Sequence, residues 1–138
     1  MCMEIVIGTN KDIELVTQNE FDALHIFHDT EPFYREILGT ENAFKVTDTF
    51  MGCGCGLSYG QWSKEDPREN HGERVKAVHA LKHFLLDNQN HIKEILTLYH
   101  YQFDSREKFP KSILKLTEFD KDEFALDEDI IYTLDFSS

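Results

Sequence analysis

Only one stretch of this 138-residue chain, Glu73 to Asn90, carries the period of a long helix. Val75, Val78, Leu81, Phe84 and Leu85 recur at three- and four-residue steps and form an apolar stripe, while Lys76, His79, His83 and Asp87 line the opposite side. Parallel neighbouring strands need a crossover of about a dozen residues or more, usually a helix. A single long helix cannot serve several crossovers, so the strand-like segments around it are expected to pair mainly antiparallel. The expected fold is therefore α+β: a mainly antiparallel sheet covered on one face by one long helix over about 73–90. A parallel α/β sheet is the weaker alternative.

The remaining segments fit that frame. Met3-Glu4-Ile5-Val6-Ile7-Gly8 is β-branched and ends at a glycine, which reads as an opening strand followed by a turn at Thr9-Asn10-Lys11-Asp12. Leu24 to Phe27 is a second strand. Glu31 to Gly39 has a proline near its start and a glycine just past its end, which predicts a short helix near 32–38. From Ala43 to Tyr59 the period is two, with Thr47, Thr49, Met51, Cys53, Cys55, Leu57 and Tyr59 on one face and Val46, Phe50, Gly52, Gly54 and Gly56 on the other. Gly60 to Gly72 is polar and reads as a loop. Ile92–Tyr101, Ile113–Leu116 and Ile130–Leu134 complete the strands. The length fits one domain, 1–138, and no repeat or low-complexity linker divides it.

Charge and cysteine usage bound the function. A net charge of −12 argues against nucleic acid as a partner, because phosphate neutralisation needs clustered Lys and Arg. No apolar run approaches the roughly 20 residues that span a bilayer, and Met1-Cys2-Met3-Glu4 lacks the start of a signal peptide, so the expected location is cytoplasmic with no membrane partner. Three cysteines, Cys2, Cys53 and Cys55, then read as reduced thiols. A Cys53–Cys55 disulfide would close a very small, strained ring.

The least ordinary stretch is Gly52-Cys53-Gly54-Cys55-Gly56, where alternating glycines Gly52, Gly54 and Gly56 leave the backbone unshielded and open to close approach. Three roles compete for its thiols. They are small core side chains sharing a face with Met51 and Leu57. Or, about 7 Å apart at the α-carbons of a strand, they chelate a soft ion, zinc or copper(I), with Cys2 as a third ligand. Or one of them is a nucleophile whose pKa is lowered by the exposed amides of the glycine loop. Other candidates are weaker. His79 and His83 have metal-binding spacing with Asp87 a turn further on, yet a solvated helix face explains them better. His25 and His28 point to opposite faces of a strand. The acidic run Glu118–Glu123 with Asp127-Glu128-Asp129 lacks the glycine and glutamate spacing of a calcium loop and reads as a solvated acidic hairpin.

The start Met1-Cys2, the run Gly52-Cys53-Gly54-Cys55-Gly56-Leu57 and the closing Phe124-Ala125-Leu126-Asp127-Glu128 followed by Tyr132 resemble a small family of uncharacterised bacterial proteins with a Gly-Cys-Gly-Cys-Gly-Phe signature. Leu57 stands where that signature has an aromatic residue. The resemblance implies no substrate and no mechanism. The expected function is a thiolate ligand site at Cys53 and Cys55, with Cys2. The alternatives are a thiol-dependent enzyme or redox protein using Cys53 or Cys55, and a protein-interaction module whose cysteines are core. A protein partner or a homo-oligomer fits any of the three.

Overall fold

The structure, a computed structural model, describes residues 3–10, 24–29, 31–48, 71–99, 105–121 and 124–137. In chain order the elements are β1 (Glu4–Thr9), β2 (Leu24–Asp29), α1 (Pro32–Leu38), β3 (Asn42–Asp48), α2 (His71–Asp87), β4 (Glu94–Leu98), β5 (Lys111–Lys115) and β6 (Ile130–Asp135). Short 3-10 helices at Arg106–Lys108 and Leu116–Asp120 flank β5. The strands form one six-stranded sheet in the order β2-β3-β1-β4-β6-β5. Every neighbouring pair is antiparallel except β5 with β6, which is parallel. The fold is thus α+β, with a mixed, mostly antiparallel sheet and two helices.

Local chemistry explains the element ends. Pro32 opens α1, where its missing N–H is no loss, and Gly39 closes it in the left-handed region at φ 68°, donating its N–H to the Arg35 carbonyl at 2.8 Å. The helix expected over 73–90 runs instead from His71 to Asp87, so Gly72 belongs to the helix rather than to a loop. It stops at Asn88, whose side-chain amide donates to the Phe84 carbonyl at 2.8 Å and satisfies one of the terminal carbonyls.

Alternation along β1 divides the core. Met3, Ile5 and Ile7 are buried in one cluster with Val46, Ile95 and, from α2, Leu81, Phe84 and Leu85. Val6 is buried in a second cluster with Ala43, Leu96, Ile131 and, from α1, Tyr34, Ile37 and Leu38. Apolar residues at successive positions of β1 are therefore all buried, as in a strand covered on both sides. The short helix accounts for that second cluster, which a single long helix would not bury.

Four further expectations need correction. Val75, placed on the buried stripe of the long helix, is 39% exposed, and the stripe instead continues through Arg74, four residues before Val78. Of the strand expected over Ile92–Tyr101, Glu94–Leu98 form β4 while Ile92, Lys93 and Tyr99 lie outside it, and Leu116 begins a 3-10 helix rather than ending a strand. The acidic stretch from Glu118 is no hairpin arm: Glu118 to Asp120 lie in that same 3-10 helix. The continuation of β3 expected through Tyr59 lies outside the described residues beyond Asp48.

Candidate functional site

Cys2, Cys53, Cys55, Gly52, Gly54 and Gly56 lie outside the described residues. Their neighbours in the chain do not. Met3 follows Cys2, and Asp48 is the last residue of β3 before the chain continues toward Cys53. The register of β1 against β3 sets Ile5 opposite Val46, so the start of β1 and the end of β3 share one end of the sheet. Adjacent strands lie about 4.8 Å apart, so Met3 and Asp48, the described residues that adjoin the two cysteine-bearing segments, stand about one strand spacing from each other. Met3 and Asp48 are both fully buried.

The same sheet end is built from polar groups. Antiparallel pairing brings the end of β4 and the start of β6 there as well. Asp129, at φ 55°, is buried and accepts the Tyr99 backbone N–H at 2.8 Å on its Oδ1. Aspartate is among the few residues that tolerate the left-handed region, and here its side chain is held by a bond to a distant backbone group, just past the end of β4. The buried Thr97 hydroxyl donates to the Asp127 carbonyl at 2.7 Å and accepts the Ile130 N–H at 3.2 Å. The Tyr132 hydroxyl accepts the Asp127 N–H at 2.8 Å, and burial pushes its pKa up to about 12. These bonds fasten the 127–130 turn to β4 and set Asp127, Glu128 and Asp129 beside the sheet end.

Asp48 and Asp129 nevertheless stand on β3 and at the start of β6, three strand spacings or about 14 Å apart. Among the described residues no group of three or more His, Cys, Asp or Glu side chains could hold a metal ion. The histidine candidates do not converge either: His79, His83 and Asp87 are exposed on α2, His25 stacks near Phe27 at 5.8 Å, and His28 meets Phe44 edge-on at 5.1 Å.

Two groups escaped the sequence reading. Arg74 is buried, which lowers its pKa, and its Nη2 donates to the Phe124 carbonyl where a cleft of about 390 Å³ opens between α2 and Phe119. Its place on the helical stripe was a visible signal, but an arginine there reads as surface. Tyr34 donates to Glu4 Oε2, while Lys45 sits 3.1 Å from Glu4 Oε1 and 5.3 Å from the Tyr34 ring. Nothing local to Glu4, Tyr34 or Lys45 announces that cluster, because its members come from β1, α1 and β3.

The architecture and this sheet end define a small α+β protein with a hydrogen-bonded polar turn at the sheet end that Met3 and Asp48 share. Compared with known proteins, the chain matches no family model, no curated protein and no solved structure. Among the described residues no helix is long and apolar enough to cross a membrane.

Proposed function

We propose that this is a thiolate ligand protein of the reducing cytoplasm, in which Cys53 and Cys55, with Cys2, hold a soft ion such as zinc or copper(I). The β1–β3 register supports the reading: it sets Met3 and Asp48, the described residues nearest to Cys2 and Cys53, at the same end of the sheet on neighbouring strands. Cys53 follows Asp48 by five positions, a reach of up to about 17 Å, so the chain has the length to return to Cys2. Gly52, Gly54 and Gly56 add a backbone without side chains around the sulfurs. In this reading α2 covers the sheet face that bears Ile5, Ile7 and Ile95, and the chain groups with the bacterial family of the Gly-Cys-Gly-Cys-Gly-Phe signature.

Metal analysis of freshly purified protein, paired with thiol labelling, tests it. The expected result is near-stoichiometric zinc or copper in the wild type, lost in Cys53→Ser/Cys55→Ser and reduced in Cys2→Ser, with the fold retained. Wild-type protein without metal overturns the proposal. Rapid alkylation of a single thiol in that metal-free protein would point to a nucleophile instead.

A further inference from the structure

We propose that the outer edge of β5 docks an extended acidic segment of a partner protein, which joins the sheet as an added strand. β5 ends the strand order and pairs only with β6 among the described strands. The Ile131 N–H donates to the Pro110 carbonyl at 2.9 Å, so alternate residues of β5 aim their backbone groups the other way. Those residues are Lys111, Ile113 and Lys115, all exposed. Their N–H and C=O groups form the row that an incoming strand needs.

The side chains state which strand fits. Lys111, Ile113 and Lys115 share one face, and Ile113 is 69% exposed, the most of any large apolar side chain among the described residues. Arg106, Lys108, Lys111 and Lys115 crowd into ten positions that hold only Glu107 as an acid, in a chain of net charge −12. Arg106 is occupied by Glu94, and Asp135 opposite Lys115 offsets part of that charge. Lys111 is steadied by the Arg106 and Phe109 carbonyls at 3.2 and 3.4 Å. A groove of about 550 Å³, lined by Ile113, Lys115, Glu118, Lys121, Phe124 and Asp135, opens at the end of β5, a volume suited to side chains of an extended peptide. Directly opposed cross-strand pairs then favour acid, apolar, acid at every second residue of the ligand.

A second copy of this chain is a poor occupant. An antiparallel β5–β5 pair centred on Ile113 would set Lys111 against Lys115 of the other copy twice, and like charges directly opposite are destabilising. The lysines thus discourage self-pairing while selecting an acidic strand.

Fluorescence anisotropy on the full chain tests this with a labelled peptide centred on Glu-Thr-Val-Thr-Glu. Saturable binding is expected, with the Lys-Thr-Val-Thr-Lys peptide weaker by about tenfold or more, and with binding lost when alternate peptide amides are N-methylated. Ile113→Asp should abolish binding and Lys115→Glu should weaken it by about fivefold, both with unchanged circular dichroism because the side chains are exposed. Cys53→Ser/Cys55→Ser should bind as the wild type does, so this result stands apart from the thiol proposal. Equal binding of the acidic and basic peptides, indifference to N-methylation, or a solution dimer dissolved by Ile113→Asp would each overturn the assignment.

Discussion

Arg106 grips Glu94 in a fork, Nη1 to Oε1 at 2.9 Å and Nη2 to Oε2 at 2.6 Å, and the same Nη1 reaches the Ile37 carbonyl at 2.9 Å. The guanidinium therefore joins the end of α1 to the start of β4 and satisfies a carbonyl that the helix leaves open. The hydrogen bond from Glu94 raises its pKa further above the usual arginine value. Arg106→Ala should destabilise the protein by about 1–3 kcal/mol in urea unfolding, because two acceptors lose their donor. Arg106→Lys should recover less than half, since an ammonium cannot reproduce the fork. A lysine variant as stable as the wild type would mean that charge alone matters here.

Gly8 is buried in β1 against the Thr40 side chain: a Cβ there would meet Cγ2 at 2.9 Å and Cβ at 3.0 Å, with Oγ1 closer still. The Thr40 hydroxyl is committed to the Asn42 carbonyl at 2.9 Å and cannot simply turn away. Gly8→Ala should cost about 1–3 kcal/mol by overpacking, although alanine in a strand is otherwise the better residue. In a Thr40→Ala background, which removes Oγ1 and Cγ2 but keeps the Cβ at 3.0 Å, the same change should cost clearly less. A double-mutant cycle showing additive effects would dissociate Gly8 from Thr40.

The sequence made visible those parts of the fold whose signals are local. Pro32 and Gly39 bracket α1 because proline suits a first turn and glycine a left-handed end, and the β-branched run at Ile5 to Ile7 needed no distant information. Arg74 was legible only in its place on the helical stripe, since the carbonyl that receives it lies fifty residues away at Phe124. The parallel pairing of β5 with β6 was not legible, because the chain returns through a 3-10 helix and the turn near Asp127 rather than through a helix of crossover length. At the candidate site the composition of the Gly-Cys run marked the place, while the pairing of β1 with β3 supplied what composition could not: that the described neighbours Met3 and Asp48 share one sheet end.

The two faces of α2 separate packing from mere hydrophobicity. Leu81 and Phe84 are essentially inaccessible, whereas Val75 is 39% exposed despite its apolar side chain. Truncating Leu81 or Phe84 to Ala should cost about 2–5 kcal/mol through lost burial and a cavity, while Val75→Ala and His79→Ala should stay within about 0.5 kcal/mol. Thermal unfolding in which Val75→Ala matched Leu81→Ala would show that the helix is rotated about its axis.

Tyr132 makes stability fall at high pH. Burial raises its pKa to about 12 in the folded chain, against about 10 for an exposed tyrosine, and its hydroxyl accepts the Asp127 N–H at 2.8 Å. Below pH 10 the phenol is protonated in folded and unfolded chains alike, and its contribution is fully present. Between about 10 and 12 the unfolded chain has released the proton while the folded chain retains it. Unfolding then loses a proton, so stability declines as pH rises and the contribution is gone above the folded value. Urea midpoints measured from pH 9 to 12 should therefore drop more steeply in the wild type than in Tyr132→Phe, which cannot ionise. At neutral pH that variant should already be weaker by about 1 kcal/mol, because the Asp127 N–H loses its acceptor. Lysines and the other tyrosines titrate in both proteins, so the difference between the two curves isolates this one group. Parallel curves would show that Tyr132 ionises as freely in the folded chain as in the unfolded one.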